Sequence, residues 1–247
     1  VLVTDGKTAD IYDPSSATFS ATTSPNFSNS PIGAVLLNTG KVLLTDGTAA
    51  ELYDPSNGTL APTGSPQVSR TDFTSTLLNN GEVLIAGGSG SADTLSSAEL
   101  YDPTTGISAL TGSMTHARHN HVAALIGGST AQAGDVLIVG GSAHTPNPGG
   151  PNIGVMGAEL YNPATGQFSF VALNYVGLGQ VSPDFGATAT ALHDGRVLIA
   201  GGVATNDSNG AGSMPIAYDP SAGDFQQTGN MVDGRVYHSA TLLADGQ

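Results

Sequence analysis

Short apolar runs alternate with polar turn segments along the whole chain. The runs are about four residues long, as at Val83–Ala86 and Val136–Val139, and segments rich in Gly, Pro, Asn, Asp, Ser and Thr separate them. Runs of this length between turn residues are typical of β-strands, because helices need longer stretches. With 34 Gly and 14 Pro in 247 residues, long helices are not expected. The pattern therefore predicts an all-β fold.

Three motifs recur together in a fixed order. The tripeptide Tyr-Asp-Pro or Tyr-Asn-Pro begins at Tyr12, Tyr53, Tyr101, Tyr161 and Tyr218. An apolar run lies upstream of each, beginning at Val1, Val42, Val83, Val136 and Val197. A third stretch ends in a pair of aliphatic residues and occurs at Gly33–Leu37, Thr74–Leu78, Val122–Ile126, Thr188–Leu192 and Ser239–Leu243. Motifs that keep their order indicate a repeat architecture, here with five similar units.

Each unit is predicted to contain four short strands, A to D. Strand A is the third stretch, and a tight turn such as Asn80-Gly81 joins it to strand B, the apolar run. Strand C ends at the Tyr-Asp-Pro motif, because proline cannot extend a strand ladder. Strand D carries one large apolar residue in each unit: Phe19, Leu60, Ile107, Phe168 and Phe225.

These motifs resemble the kelch repeat family. Gly87-Gly88 closes a strand B, Glu99–Pro103 forms the Glu-x-Tyr-Asp-Pro of a strand C, and Arg-x-x-His opens strand A at Arg118–His121 and Arg235–His238. The likeness is to the bacterial extracellular type and to the central domain of galactose oxidase, although the tryptophan usual in strand D is missing. The resemblance implies a β-propeller, in which four-stranded antiparallel blades surround a central channel.

The order of the motifs predicts that five blades close into a ring. The sequence starts within a strand B and finishes after a strand A, so Ser239–Leu243 is expected to pair beside Val1–Val3. The spacing from Tyr218 through both chain ends to Tyr12 is 41 residues, equal to that from Tyr12 to Tyr53. A segment of a longer array would show the same order, and that alternative stays open. The single predicted domain covers residues 1–247, with blades at about 238–247 plus 1–24, 25–65, 66–113, 114–173 and 174–230.

Charge and composition limit the kinds of binding partner expected for this chain. Only 6 Lys and Arg residues face 20 Asp and Glu residues, for a formal net charge of −14, so nucleic acid is not expected as a partner. No apolar run approaches the roughly 18 residues of a membrane span, and membrane insertion is not expected. Low Lys with abundant Gly, Ser and Thr is typical of secreted or cell-surface proteins, where other domains of a longer surface protein are further candidate partners. The absence of Cys excludes a tyrosine–cysteine copper radical cofactor.

The longest predicted loops share one face of the propeller. Antiparallel blades place the B–C and D–A loops together, and we call this side the loop face. Its long segments are Ser89–Ser97, Ser142–Gly157, Leu173–Phe185 and Val203–Pro215. Since long loops on a rigid scaffold commonly bind ligands, a site is expected here, displaced toward the third to fifth blades.

One position seven residues before the aliphatic pair is polar in all five units: Asn29, Arg70, Arg118, Asp184 and Arg235. Arginines at the mouth of the channel would suit carboxylates or sugar hydroxyls. They could instead pair with the strand C glutamates Glu51, Glu99 and Glu159, as arginines commonly do in kelch repeats. Arg70, Arg118, Asp184 and Arg235 are therefore ligand-binding candidates, with pairing inside the blades as the alternative.

Histidines supply the next candidates. His116, His119 and His121 lie close together in the sequence, and His144 and His238 could lie near them in the fold. Imidazoles can hold a metal or act as a base, but this spacing is not a metal-ligand signature, so no metal is predicted. His119, His121, His238 and the neighbouring Tyr237 are taken as ligand-binding residues, and His121 and His238 as candidate catalytic bases.

A further group of candidate site residues is acidic or aromatic: Asp72, Asp93, Tyr175, Asp184, Asp233 and Tyr237. Paired carboxylates could catalyse glycoside hydrolysis, but their separation does not follow from the sequence, and Asp is common in turns. Asn206–Gly210 resembles a calcium loop in composition and lacks the terminal Glu. No cofactor is predicted, with calcium left as an option.

Three functions are compatible with these residues. The favoured one is a non-catalytic recognition module that binds a glycan, a peptide or a neighbouring protein through the loop face. The second is an enzyme on sugars, a lyase, hydrolase or epimerase, with His121 or His238 as base and Arg118 or Arg235 holding an acid group. The third is a structural spacer in a surface assembly.

Overall fold

All regular structure in the computed structural model is β-strand. The structure describes residues 1–28, 33–144, 153–173, 185–203 and 212–246. These residues form 21 strands and no helix, which confirms the predicted all-β fold.

Nineteen of the strands form five consecutive antiparallel sheets, and the other two form a separate hairpin. Sheet I contains β1 (Leu2–Thr4), β2 (Ala9–Asp13) and β3 (Thr18–Ala21). Sheet II contains β4 (Gly33–Leu36), β5 (Val42–Thr45), β6 (Ala50–Asp54) and β7 (Thr59–Pro62). Sheet III contains β8 (Thr74–Leu77), β9 (Val83–Ala86), β10 (Ser97–Asp102) and β11 (Ile107–Ser113).

Sheets IV and V follow the same plan. Sheet IV contains β12 (Val122–Leu125), β13 (Val136–Val139), β16 (Ala158–Asn162) and β17 (Gln167–Val171), with the hairpin β14 (Ser142–Ala143) and β15 (Ile153–Gly154) inserted between β13 and β16. Sheet V contains β18 (Ala187–Ala191), β19 (Val197–Gly201), β20 (Ile216–Asp219) and β21 (Asp224–Gln227). The predicted unit of four antiparallel strands is confirmed in sheets II to V.

The first two strands of sheets II to V pair in one common register. The opening residue of the predicted strand A always faces the same position of strand B, in the pairs Gly33–Thr45, Thr74–Ala86, Val122–Val139 and Thr188–Ala200. A shared register means that the repeats found in the sequence are also equivalent in space.

The core lies between successive sheets. Leu43 of sheet II packs with Ile85 and Tyr101 of sheet III, and Leu84 of sheet III packs with Ile138 of sheet IV. The first strands β4, β8, β12 and β18 also contact one another in chain order. All residues of β9 and β13 are buried, as expected for strands that are covered on both faces.

Sheet I differs from the prediction. Ser239–Leu243, expected as its fourth strand, forms no strand, and β1 pairs only with β2. A strand needs a neighbouring strand for its hydrogen bonds, and none lies beside 239–243 in the described residues. No closed ring of sheets is found among the described residues.

Candidate functional site

Arg70 lies inside sheet III and not at its surface. Its Nη1 donates to the carbonyl oxygens of Gly87 (2.7 Å) and Ser97 (3.0 Å), and its Nη2 lies 2.7 Å from Glu99 Oε1. Neither side chain of the ion pair has exposed surface. These contacts tie the loop that precedes β8 to the strands β9 and β10. Because the guanidinium is buried among them, it is not accessible to a ligand.

Arg118 repeats this arrangement in sheet IV. Its Nη1 donates to the carbonyl oxygens of Gly140 (2.9 Å) and Gly157 (3.2 Å), and its Nη2 lies 3.1 Å from Glu159 Oε1. Burial lowers the pKa of Arg118, and the Glu159 carboxylate opposes that change. The alternative of pairing with the strand C glutamate is confirmed for both arginines.

His121 and His238 make equivalent contacts with a threonine of the sheet that precedes them in the chain. His121 Nε2 lies 2.9 Å from Thr74 Oγ1 of the preceding sheet, and His238 Nε2 lies 3.2 Å from Thr188 Oγ1. Burial, together with the charges of Arg118 and His119, lowers the pKa of His121 to about 3. A catalytic base must reach a proton of its substrate. His121 is instead buried, and its contact with Thr74 holds two sheets together.

A row of left-handed backbone positions precedes the first strands. Asp72, Asn120 and Tyr237 have φ of 53°, 54° and 53°, and Gly186 has φ of 73°. The backbone N–H of Asn120 donates to the Asp72 carbonyl (2.9 Å), and that of Tyr237 donates to the Gly186 carbonyl (2.8 Å). Each left-handed turn is thus linked to the turn of a neighbouring sheet. A bulky residue with positive φ, such as Tyr237, is rare outside strained or functional positions.

Tyr237 is a predicted site residue that lies at the surface. It is 75% exposed, and its ring lies 6.1 Å from that of Phe185. Arg235 is also exposed, and its described contacts are backbone hydrogen bonds with Gly202 and Gly212. Both residues are exposed and stand just before the predicted last strand A.

His119 and His144 form a second group on the loop face. Their rings stack 5.0 Å apart, and His144 Nδ1 lies 3.0 Å from Thr94 Oγ1. The backbones of His119 and Ser142 exchange two hydrogen bonds of 2.9 Å. Burial lowers the pKa of His119, His144 lowers it further, and Asp72 opposes both. The stacked pair therefore attaches the β14–β15 hairpin to sheet III.

Not all predicted residues can be placed. Asp184, Asn29, Tyr175 and the calcium-like segment 206–210 lie outside the described residues. His116 is half-exposed, with its Nδ1 3.8 Å from Glu159 Oε1. Asp233 is exposed, and Asp93 caps its own turn by accepting the N–H of Thr94. The described structure therefore does not gather the predicted carboxylates into one pair.

Phe185, Asn120 and Thr94 belong to these groups and were not predicted from the sequence. Asn120 could have been found by aligning the residue two positions before strand A in every unit, since Asp72 and Tyr237 share that position. Phe185 could have been aligned in the same way with Thr71 and His119, whereas Thr94 stands in a loop whose length differs between the units.

The comparisons with known proteins leave the family undecided. No family model matches the chain, and no curated protein matches it significantly. Among the described residues, no three or more His, Asp or Glu side chains are grouped so that they could hold a metal ion. The same residues contain no helix long and apolar enough to span a membrane.

Proposed function

We propose that the chain is a kelch-type propeller with five blades, formed by sheets I to V. The common register of sheets II to V and their packing in chain order support a radial arrangement. Kelch-like motifs recur in the corresponding order in the sequence. The composition supports a secreted or cell-surface location.

The proposed function is recognition of a neutral or acidic glycan or a peptide by the loop face. The observation that carries it is Tyr237, an exposed aromatic residue held in the left-handed conformation. The repeat imposes the left-handed conformation at this turn, where Gly186 adopts it without strain and a tyrosine adopts it only at a cost in free energy. Aromatic faces contact sugar rings and peptide side chains with little loss of conformational entropy. Arg235, two residues earlier in the chain and also exposed, offers donors for hydroxyl or carboxylate oxygens.

Binding to arrays of glycans and peptides tests this function. We expect Tyr237→Ala to weaken binding at least tenfold while the far-UV circular dichroism stays unchanged. The matched control is Phe19→Ala, because Phe19 is an exposed aromatic residue on the outer strand β3. Equal losses in both variants, or no binding by the unaltered protein, would contradict the proposal.

A structural spacer is the second candidate. The observation that favours it is that Arg70, Arg118, His121 and His238 all make contacts within or between sheets. A spacer predicts that both the glycan and the peptide arrays stay empty, while the protein retains a cooperative unfolding transition. The enzyme alternative would instead require turnover of a glycan that depends on His121 or His238.

A further inference from the structure

The turn between the first two strands of sheet IV is longer than its counterparts. It spans residues 127–134. The corresponding turns of sheets II, III and V are residues 38–40, 79–81 and 193–195. The long turn is closed in the same way as the short ones, because the N–H of Gly134 donates to the Ile126 carbonyl (2.9 Å) as that of Gly81 donates to the Leu78 carbonyl (3.0 Å). Sheet IV therefore carries an insertion at the end opposite its B–C loop.

Hydrogen bonds hold this insertion in place. The N–H of Ala133 donates to the Thr130 carbonyl (3.0 Å), and the Tyr218 hydroxyl of sheet V donates to Gln132 Oε1 (2.7 Å). The equivalent tyrosines of other sheets contact a threonine, in the pairs Tyr53–Thr22 (2.8 Å), Tyr101–Thr63 (2.7 Å) and Tyr161–Thr111 (2.9 Å). Gln132 takes the place of that threonine for Tyr218, so the insertion is anchored to the neighbouring sheet.

A cleft of about 360 Å³ lies between the insertion and two further turns. We call it the turn cleft. Its other walls are the turn between the first two strands of sheet III and the turn between β16 and β17 of sheet IV. The lining includes Asn79, Ala131, Ala133, Asp135, Pro163 and Ala164. A cleft of this size and lining, with a carboxylate, an amide and short apolar side chains, is suited to a small polar ligand.

Asp135 stands where other sheets hold a charge that has a partner. Its carbonyl accepts the N–H of the last residue before the turn, as do those of Lys41, Glu82 and Arg196. The side chains at these equivalent positions are paired: Lys41 Nζ lies 3.3 Å from Asp54 Oδ2, Asn80 Nδ2 donates to Glu82 Oε2 (2.7 Å), and Arg196 Nη2 lies 2.6 Å from Asp194 Oδ2. For the Asp135 carboxylate, no hydrogen bond or ion pair is found within the described ranges.

Partial burial makes this unpaired carboxylate costly. Asp135 is half-buried, and burial raises the pKa of its carboxyl. A charged group that loses water without gaining a partner is destabilised, and a cation beside it would offset that cost.

Asn79 supplies a second open acceptor on the opposite wall. It is exposed, and no hydrogen bond is found for its side chain in the part of the chain that the structure describes. A Cβ added at Gly134 would lie 3.1 Å from Asn79 Nδ2, so the amide lies directly against the insertion. Asn80 is instead used within its own turn, where it bonds to the backbone N–H and the carboxylate of Glu82.

These groups favour a monovalent cation that carries N–H donors. A divalent metal such as calcium needs several oxygen ligands, and the described residues hold no group of three His, Asp or Glu side chains suited to one. A primary ammonium has a single charge and three N–H donors, which match one carboxylate and one amide oxygen. Its methylene stem can pack against Ala131, Ala133 and Pro163. The net charge of −14 attracts cations over a longer range.

We propose that the turn cleft binds the primary ammonium group of an alkylamine, which pairs with Asp135 and donates a further hydrogen bond to Asn79. A lysine side chain of another protein and a free alkylamine share this chemistry. The site lies on turns of sheets III and IV, away from Tyr237, and it depends neither on recognition by the loop face nor on closure of the five sheets.

Nuclear magnetic resonance titration of the ¹⁵N-labelled full chain tests the site. The probes are n-butylammonium chloride, which represents a free amine, and Nα-acetyl-L-lysine N-methylamide, which represents lysine within a polypeptide. We expect saturable shifts of the backbone signals of Asn79 and Gly134 with at least one of them, and the amine that binds more tightly identifies the source. Nα-acetyl-L-norleucine N-methylamide has an apolar stem without the ammonium group and should cause no saturable shift.

Asp135→Asn keeps the shape of the side chain and removes its charge. We expect it to weaken binding of the preferred amine about tenfold or more, and Asn79→Ala to weaken binding about threefold or more. The matched control is Asp224→Asn, which removes the same charge at the start of β21, outside the turn cleft, and should change the affinity by less than about twofold. Asp135→Asn should keep the melting temperature within ~2 °C, because its carboxylate has no partner in the described residues to lose.

Three results would overturn the proposal. The first is the absence of saturable shifts at Asn79 and Gly134 with either amine. The second is equal binding of the norleucine compound, which would show that the ammonium group is not recognised. The third is an equal loss of affinity in Asp135→Asn and Asp224→Asn, which would mean that only the overall negative charge attracts the amine. Glycan and peptide arrays play no part in these readouts, so failure of the recognition function would leave them unaffected.

Discussion

Glu159 Oε1 lies 3.1 Å from Arg118 Nη2, and neither side chain has exposed surface. Removing one charge of a buried pair leaves the other without compensation, which typically costs about 3–5 kcal/mol. We therefore expect Arg118→Met to lower the free energy of unfolding by that amount in urea titrations. Arg196→Met, which removes an exposed arginine, should cost less than about 1 kcal/mol. Similar small losses in both variants would show that the buried pair does not hold the sheet.

His121 makes stability sensitive to acid. Its pKa is about 3 in the folded chain, against an ordinary value of 6.5. Between these values the unfolded chain binds more protons at this site, so the free energy of unfolding falls as the pH falls, by at most ~1.4 kcal/mol per unit. We expect His121→Gln to flatten the dependence of stability on pH between 6.5 and 3. The exposed His193→Gln variant should keep the original slope. An unchanged slope in His121→Gln would contradict the buried neutral state.

Replacing Tyr237 is expected to affect protein stability and ligand binding in different ways. Its φ of 53° is one that glycine adopts freely. Tyr237→Gly should therefore leave stability unchanged or raise it by up to about 1 kcal/mol, while ligand binding is lost. Thermal unfolding and array binding of the same preparation measure both effects. A clear loss of stability would mean that the tyrosine is kept for packing and not for recognition.

Ala17 provides a test of the repeat geometry. It has a φ of 54° at the turn where the other four sheets have Gly58, Gly106, Gly166 and Gly223, with φ of 68° or 69°. Ala17→Gly should raise the free energy of unfolding by about 1 kcal/mol, because it removes the cost of a Cβ in the left-handed region. Ala61→Gly in the exposed strand β7 should act in the opposite direction, by about 0.5–1 kcal/mol. A loss of stability in both variants would contradict the predicted strain.

The strands of sheets II to V could be predicted because their signals are local. An apolar run between turn residues specifies a strand at Val83–Ala86 whatever the rest of the chain does. Ser239–Leu243 carries the same signal, but strand formation there depends on a partner distant in sequence. The burial of Arg70 and Arg118 was predicted only as the alternative to ligand binding, because the sequence does not show which of these side chains face solvent. The left-handed Tyr237 could not be predicted, because tyrosine avoids that conformation and only the neighbouring turns impose it.

The closure of the five sheets is measured most directly by nuclear Overhauser effects between backbone protons of the two strands. On a deuterated, amide-protonated sample, the closed ring predicts an amide–amide contact at the hydrogen-bonded one of two adjacent pairs, Val3 with Ala240 or Leu2 with Thr241. Stable protection of the β1 amides from hydrogen exchange should accompany them. Well-resolved signals for both segments without any contact between them, in a folded protein, would contradict the five-bladed ring.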